Sequence, residues 1–403
     1  MKSEWKVSTV QELIDLGMLD EPLDGNHGSL HPKASDYVES GVPFIMANNI
    51  VNGVIDFDNC AFISEEQANT LRKGFAKPGD VLLTHKATIG RTAIVPDKYA
   101  TIILTPQVTY YRVKKGIDNR YLKYYFDSPN FQKTLSDWAG SGSTRAYLGV
   151  TAQHELPIIL PTYGEQKKIA DILDILDKKI QINSAINQNL LQQARSIFAQ
   201  EFLSFDKIPD GWEESSLIGI ADYLNGLAMQ KYRPKDDEQG LPVLKIKELR
   251  QGFCDSNCEL CSPNVKPEYI VNDGDVIFSW SGSLLVDFWC GGSCGLNQHL
   301  FKVTSSKYDK WFYYSWTNHH LQKFAAIAED MATTMGHIKR EELAKAIVIV
   351  PSQSDYDRIG SLLAPLYDLV IANRKENQKL AMLRDELLPR LISGELDVSA
   401  FKI

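Results

Sequence analysis

No stretch of the 403-residue chain comes near the ~18 consecutive apolar residues that a membrane-spanning helix needs, so no membrane partner is expected. The amino-terminal segment MKSEWKVSTVQELIDLG carries Lys2, Glu4 and Lys6 and lacks an apolar core, which argues against a secretory leader and for a cytoplasmic protein. Positive charge is also in short supply: 43 Lys and Arg stand against 51 Asp and Glu, a formal net charge of -8. That balance speaks against a nucleic-acid binder working alone, because phosphate neutralisation carries most non-specific affinity. Either the basic residues gather on one face, or partners hold the phosphates and leave this chain to read bases. Cysteine is sparse, and five of the six residues fall between Cys254 and Cys294, unlike the spread of a disulfide framework. Neither a Walker phosphate loop, nor an Asn-Pro-Pro-Tyr-type methylation motif, nor a Gly-rich cofactor fingerprint occurs, so neither a cofactor nor catalysis is expected.

What is present is a duplication. The length exceeds the roughly 100 to 200 residues of one domain, and a 44% hydrophobic, 23% charged composition is that of a folded chain. Five features recur in the same order. Trp5 is matched by Trp212, GVPFIMANNIVNGVID by GLPVLKIKELRQGFCD, and KPGDVLLTHKATIG by NDGDVIFSWSGSLL. Then TPQVTYYRV is matched by LNQHLFKV, with Gln107 and Gln298 at the strand heads, and LPIILP by AIVIVP. The offset between copies drifts from 207 residues at the tryptophans to 190 at Pro161 and Pro351, as small loop deletions would produce. Gly-Asp turns launching apolar strands, mixed with helical segments, predict an α+β fold.

After each terminal proline comes a helix-capping pattern, Thr162-x-x-Glu165 and Ser352-x-x-Asp355. Alternate steps of three and four from Ile359 pass through Leu362, Leu366, Leu369, Asn373, Glu376, Leu380, Leu383 and Leu387, a heptad seam. The same seam shifted by 190 residues runs from Ile169 through Asn183 to Ile197. Two long antiparallel helices are therefore expected, with Asn183 and Asn373 close together as a register lock. Pro365 should kink the second helix or delay its start. About 35 residues at 1.5 Å each make a rod of roughly 50 Å, suited to holding two readers about one turn of duplex apart.

With the duplicated Gly-Asp-Val strand, the segment GSGSTRAYLGVTAQHELPIILPTYGEQKKIADIL and the tail LLPRLISGELDV, the chain resembles the specificity subunits of type I restriction-modification systems over essentially its whole length. The resemblance implies two pseudo-repeat target-recognition domains, at 1–161 and 205–351, separated by spacer helices at 162–204 and 352–403. It also implies a non-catalytic subunit that binds a bipartite target in double-stranded DNA, with two methyltransferase subunits and two motor-nuclease subunits as partners.

Base readers are expected on the loops after the Gly-Asp strands: Thr84, His85, Lys86 and Arg91 in copy one, Ser279, Trp280 and Ser281 in copy two. A second set follows the first strand, Asn48 and Asn49 against Lys245 and Lys247, and Arg145 could hold a phosphate or cap a helix. Lys and Arg favour guanine, Asn and Gln adenine. His27, His31 and His85 have no metal spacing, whereas Cys258, Cys261, Cys290 and Cys294 could either close a thiolate site or pack in strands. The residues leave open a subunit of a differently organised, type IIB/IIG-like restriction enzyme, a helical adaptor binding protein, and a zinc-dependent enzyme.

Overall fold

The computed structural model describes residues 5–140, 146–330 and 340–400. The chain divides into two compact units, Met1–Lys178 with Ala381–Ile403, and Lys179–Leu380. The first unit holds a four-stranded antiparallel sheet in the order Thr88–Ile94, Val81–Lys86, Val108–Tyr111, Leu23–Asp24. Its five-stranded sheet runs Tyr37–Val38, Ala61–Ile63, Val42–Ile45, Ile102–Leu104, Phe75–Ala76, with the third and fourth strands parallel. Lys6–Thr9 closes on Pro157–Leu160 as an antiparallel pair.

The second unit repeats this plan without the edge strand Tyr37–Val38. Leu285–Phe288, Val276–Ser279, Leu300–Thr304 and Asp222–Asn225 form the antiparallel sheet in the corresponding order. Leu260–Cys261, Leu241–Leu244, Cys294–Leu296 and Ile270–Val271 form the mixed sheet, again with one parallel pair at its centre. Glu213–Ser216 pairs with Ile347–Val350.

The repeated residues explain the repeated geometry. Gly79 and Gly274 stand at φ of +88° and +86°, where a side chain would be strained. Asp80 and Asp275 then close each turn by accepting the backbone N–H three residues earlier, from Lys77 and Asn272, at 2.8 Å in both copies. Each aspartate also pairs with a cation beside the neighbouring strand: Arg112 at 2.7 Å and Lys302 at 2.8 Å. The tryptophan that opens each repeat donates its indole N–H to the acid that caps the following long helix, Trp5 to Glu165 and Trp212 to Asp355. The two ends of a repeat are thereby fastened together.

Two helices of 40 residues span Tyr163–Phe202 and Gln353–Ile392. The second starts well before Pro365 and runs through it, so the late start expected from that proline does not occur. The expected seam also needs correction. In the second unit Ile359, Leu363, Tyr367 and Val370 are buried, whereas Leu362 and Leu369 are each 45% exposed. Asn183, Asn187, Ala194, Phe198 and Phe202 are likewise buried while Ile182 and Ile186 face outward. The reason is that these helices pack into an aromatic core, Phe198 against Trp316 and Tyr367 against Phe288, so burial follows the 3.6-residue period of a helix lying on a globular body.

Asn183 and Asn373 do not bond each other. Asn183 Nδ2 donates to Glu376 at 2.6 Å and to Asn377 at 2.8 Å, and Asn373 Nδ2 donates to Asn187 at 2.9 Å. The antiparallel crossing is centred near residues 185 and 375, half a turn beyond the two asparagines, so each finds the asparagine one turn further along the other helix. None of the helices among the described residues is long and apolar enough to cross a membrane.

Candidate nucleic-acid interface

A base reader needs two properties: access to a groove, and donors or acceptors not already used inside the protein. Thr84 and His85 lack the first, although the buried His85 Nε2 has no hydrogen-bond partner. The strand Val81–Lys86 extends further than its sequence suggests and is covered on both faces, with Val81 and Leu83 in one core and Leu82 in another. Both residues are fully buried. Thr84 Oγ1 accepts the Arg91 N–H at 2.9 Å, and His85 Nδ1 lies 2.9 Å from the Leu148 carbonyl. Burial pushes the His85 pKa below its ordinary value, against a smaller opposing effect of that carbonyl, which keeps the ring neutral.

Arg91 is exposed along part of its length, yet its guanidinium donates to the carbonyls of Ala47 and Ile50 at 3.3 and 3.1 Å, tying its strand to the Ala47–Asn49 turn. Asn49 is buried and shapes that turn, accepting the Met46 N–H and donating to the Asn59 carbonyl. Asn48, next to it, is exposed. Lys86 ends the strand on the surface, its ammonium 5.8 Å from the Tyr147 ring centre.

The second copy repeats the division. Ser279 is buried and donates to the carbonyls of Ser281 and Ser283. Ser281 is buried beside His299 Nδ1 at 3.1 Å. The Trp280 indole N–H donates to Asn225 at 3.1 Å and its ring packs on Phe301. Lys245 pairs with Glu259 at 2.7 Å and Lys247 with Asp255 at 2.9 Å. Thr84, His85, Asn49, Ser279 and Ser281 are thus corrected from surface readers to interior supports: Thr84, His85 and Ser279 because the residues after a Gly-Asp turn enter the middle of a sheet, Ser281 because it turns in against His299, and Asn49 because its amide closes the turn after Ile45. Arg145 lies outside the described residues.

The four cysteines considered for a thiolate site do not all converge, although Cys258 and Cys294 each meet Cys254. Cys290 Sγ lies 3.9 Å from the Ile371 carbonyl, Cys258 lies by Glu248 and Asp255, and Cys261 is buried beneath Gly295. No group of three or more His, Cys, Asp or Glu suited to a metal occurs among the described residues.

One feature of the first unit was not foreseen as a reader. A cavity of about 250 Å³ is lined by His31, Tyr37, Met46, Lys86, Thr105 and Gln107, at adjoining strand ends. The His85 N–H to Gln107 carbonyl bond and the Thr105 N–H to Ile45 carbonyl bond, both 3.0 Å, hold those ends together. Gln107 was visible in sequence only as the head of a strand.

A family model described as the type I restriction modification DNA specificity domain matches residues 2–192 and again 209–382. The chain belongs to that family. As a specificity subunit of the type I kind it is non-catalytic, catalysis lying in partner subunits. The MjaIX specificity subunit of Methanocaldococcus jannaschii is 26% identical over 420 aligned positions, which cover 96% of this chain and 93% of that one. The EcoKI specificity subunit of Escherichia coli is 22% identical, over 88% and 82% of the two chains. Among solved structures, the S subunit of a type I restriction-modification system from M. genitalium superposes with a TM-score of 0.56 at 13% identity, over 97% of this chain and 96% of that one, a likeness of fold.

Proposed function

We propose that this specificity subunit reads a bipartite target in double-stranded DNA, one half-site per repeat, inside a cytoplasmic complex with two methyltransferase and two motor-nuclease subunits. Residues 1–161 and 205–351 are the two readers, and 162–204 with 352–403 fix the gap between half-sites. The observation that carries this reading is the recurrence, within one chain, of two sheets in matching strand order, the first copy adding one edge strand, with an Asp–cation pair at each Gly-Asp turn, Asp80–Arg112 and Asp275–Lys302, under different surface residues. Two copies of one scaffold with unlike surfaces suit two unlike half-sites.

Methylome sequencing of a host carrying the system tests it. A modified motif of two defined half-sites around an unspecified gap is expected, and modification at a single continuous sequence, or none, refutes it. Inserting seven residues into both long helices, about 10 Å of rise, should lengthen the gap by about three base pairs while leaving both half-sites unchanged.

A further inference from the structure

The side chains of Lys86 and Gln107 reach the surface of the first unit without being tied into it. Among the described residues, no hydrogen bond or ion pair engages the Gln107 amide, and only the Tyr147 ring lies near the Lys86 ammonium. Both line the open cavity of the first unit. Its wall holds further unmet polar capacity: Thr105 is 4% exposed and its Oγ1 has no hydrogen-bond partner, nor has the buried Nδ1 of His31. Buried polar atoms without partners are uncommon in native proteins, since each gives up its hydration without a return. Of the wall's polar groups, the Gln107 amide and the Lys86 ammonium are the ones left to a molecule entering the cavity.

We propose that this cavity is the base-edge reader of the first repeat, with Gln107 and Lys86 as its specificity-determining side chains. This rests on the bipartite reading given above. The chemistry is that of the major groove. A glutamine amide donates and accepts at once, matching the N7 and N6 pattern of adenine, and a lysine donates to the O6 and N7 acceptors of guanine. The scaffold is stiff where it needs to be: Gln107 and Lys86 stand at the ends of neighbouring strands of one sheet, paired through Val108 and Thr84. His31 and Tyr37 both pack on Phe44, which fixes the opposite wall.

The second repeat supports the assignment by its difference. Strand pairing puts His299 at the place of Gln107 and Ser281 at the place of Lys86, and the Ser281 hydroxyl lies 3.1 Å from His299 Nδ1. A reader with serine and histidine in place of lysine and glutamine is expected to prefer a different half-site.

The test uses the complex assembled with its methyltransferase partner, first with the wild-type chain to define the motif, then with Gln107→Ala and Lys86→Ala. Binding and methylation are measured on duplexes bearing the wild-type motif and every single-base change in both half-sites. Gln107→Ala should cut discrimination at one position of the first half-site by roughly five- to 150-fold and leave the second half-site untouched. Lys86→Ala should do the same at a different position. His299→Ala should relax only the second half-site, which controls for general loosening. Unchanged preference in the Gln107 and Lys86 variants overturns the proposal, and so does uniform weakening on all duplexes, which would mark them as phosphate contacts or fold supports. Absence of any two-part motif with the wild-type chain would instead sink the bipartite reading.

Discussion

Replacing Asp177 with alanine tests how the carboxyl-terminal segment is fastened within the first unit. The carboxylate accepts from Arg384 at 2.9 Å, from the Tyr124 hydroxyl at 2.8 Å and from Lys123 at 3.4 Å, with 15% of the side chain exposed. Burial alone would raise its pKa, but Lys123, Arg384 and Tyr124 outweigh burial and hold the carboxyl below its ordinary value. Removing one partner of a fully buried ion pair costs about 3 to 5 kcal/mol. Here both cations keep a second acid, Arg384 through Asp385 at 2.7 Å and Lys123 through Asp127 at 3.0 Å. The expected loss is therefore about 2 kcal/mol, mostly the stranded Tyr124 hydroxyl and the weakened charge-assisted bonds.

Urea denaturation at pH 7 should show the midpoint falling with little change in slope. The sign of the pH dependence is fixed by the depressed folded pKa. The contribution of Asp177 is fully present above the unfolded value of about 3.9 and is lost as pH falls through the folded value. The gap between wild type and variant should stay constant from about pH 5 to 8 and close under acid. A difference below about 0.5 kcal/mol at pH 7, the size typical of exposed pairs, refutes the argument, as does a gap that widens on acidification.

Gly394→Ala should lower stability by about 1 to 2 kcal/mol, seen as a lower Tm, because Gly394 stands at φ +73° and an added Cβ would lie 3.1 Å from the Trp5 ring. Asn187→Ala and Asn377→Ala should each cost about 1 kcal/mol, with a smaller effect for Asn377, since Asn183 keeps Glu376 when Asn377 is lost; equilibrium unfolding of both variants decides. Thr84→Val should cost about 1 kcal/mol by removing the acceptor of the Arg91 N–H while leaving the methylated sequence unchanged, and an altered motif on methylome sequencing would restore Thr84 as a reader.

The architecture was legible wherever one residue type alone meets a backbone demand. A glycine at positive φ followed by an aspartate that closes its own turn reads the same way in both copies, and so do the capping acids Glu165 and Asp355. That Trp5 and Trp212 bond those acids was not legible, since the partners are 160 and 143 residues apart. The helical seam was misread by about one residue because a heptad count presumes that one helix is the other's whole environment. Tyr367 and Phe198 are instead drawn to aromatic cores that no spacing rule contains. Readers were misplaced for a related reason: a polar residue after an apolar strand reads as a loop residue, yet Thr84, His85 and Ser279 continue their strands inward.

The acidic net charge, the feature least like a DNA-binding protein, is accounted for by how the cations are used. Arg112, Arg120, Arg374 and Arg384 each pair with an aspartate inside their own unit, and Lys245 and Lys247 are occupied on the surface. Cations spent in this way neutralise few phosphates, and a chain with few free cations gains little non-specific affinity of its own. It has less tendency to rest on unrelated sequence, and discrimination then depends on a small number of uncommitted polar groups facing base edges. On the proposed reading Lys86 and Gln107 are groups of that kind, and the phosphate contacts that such a reader still requires would fall to the subunits it assembles with.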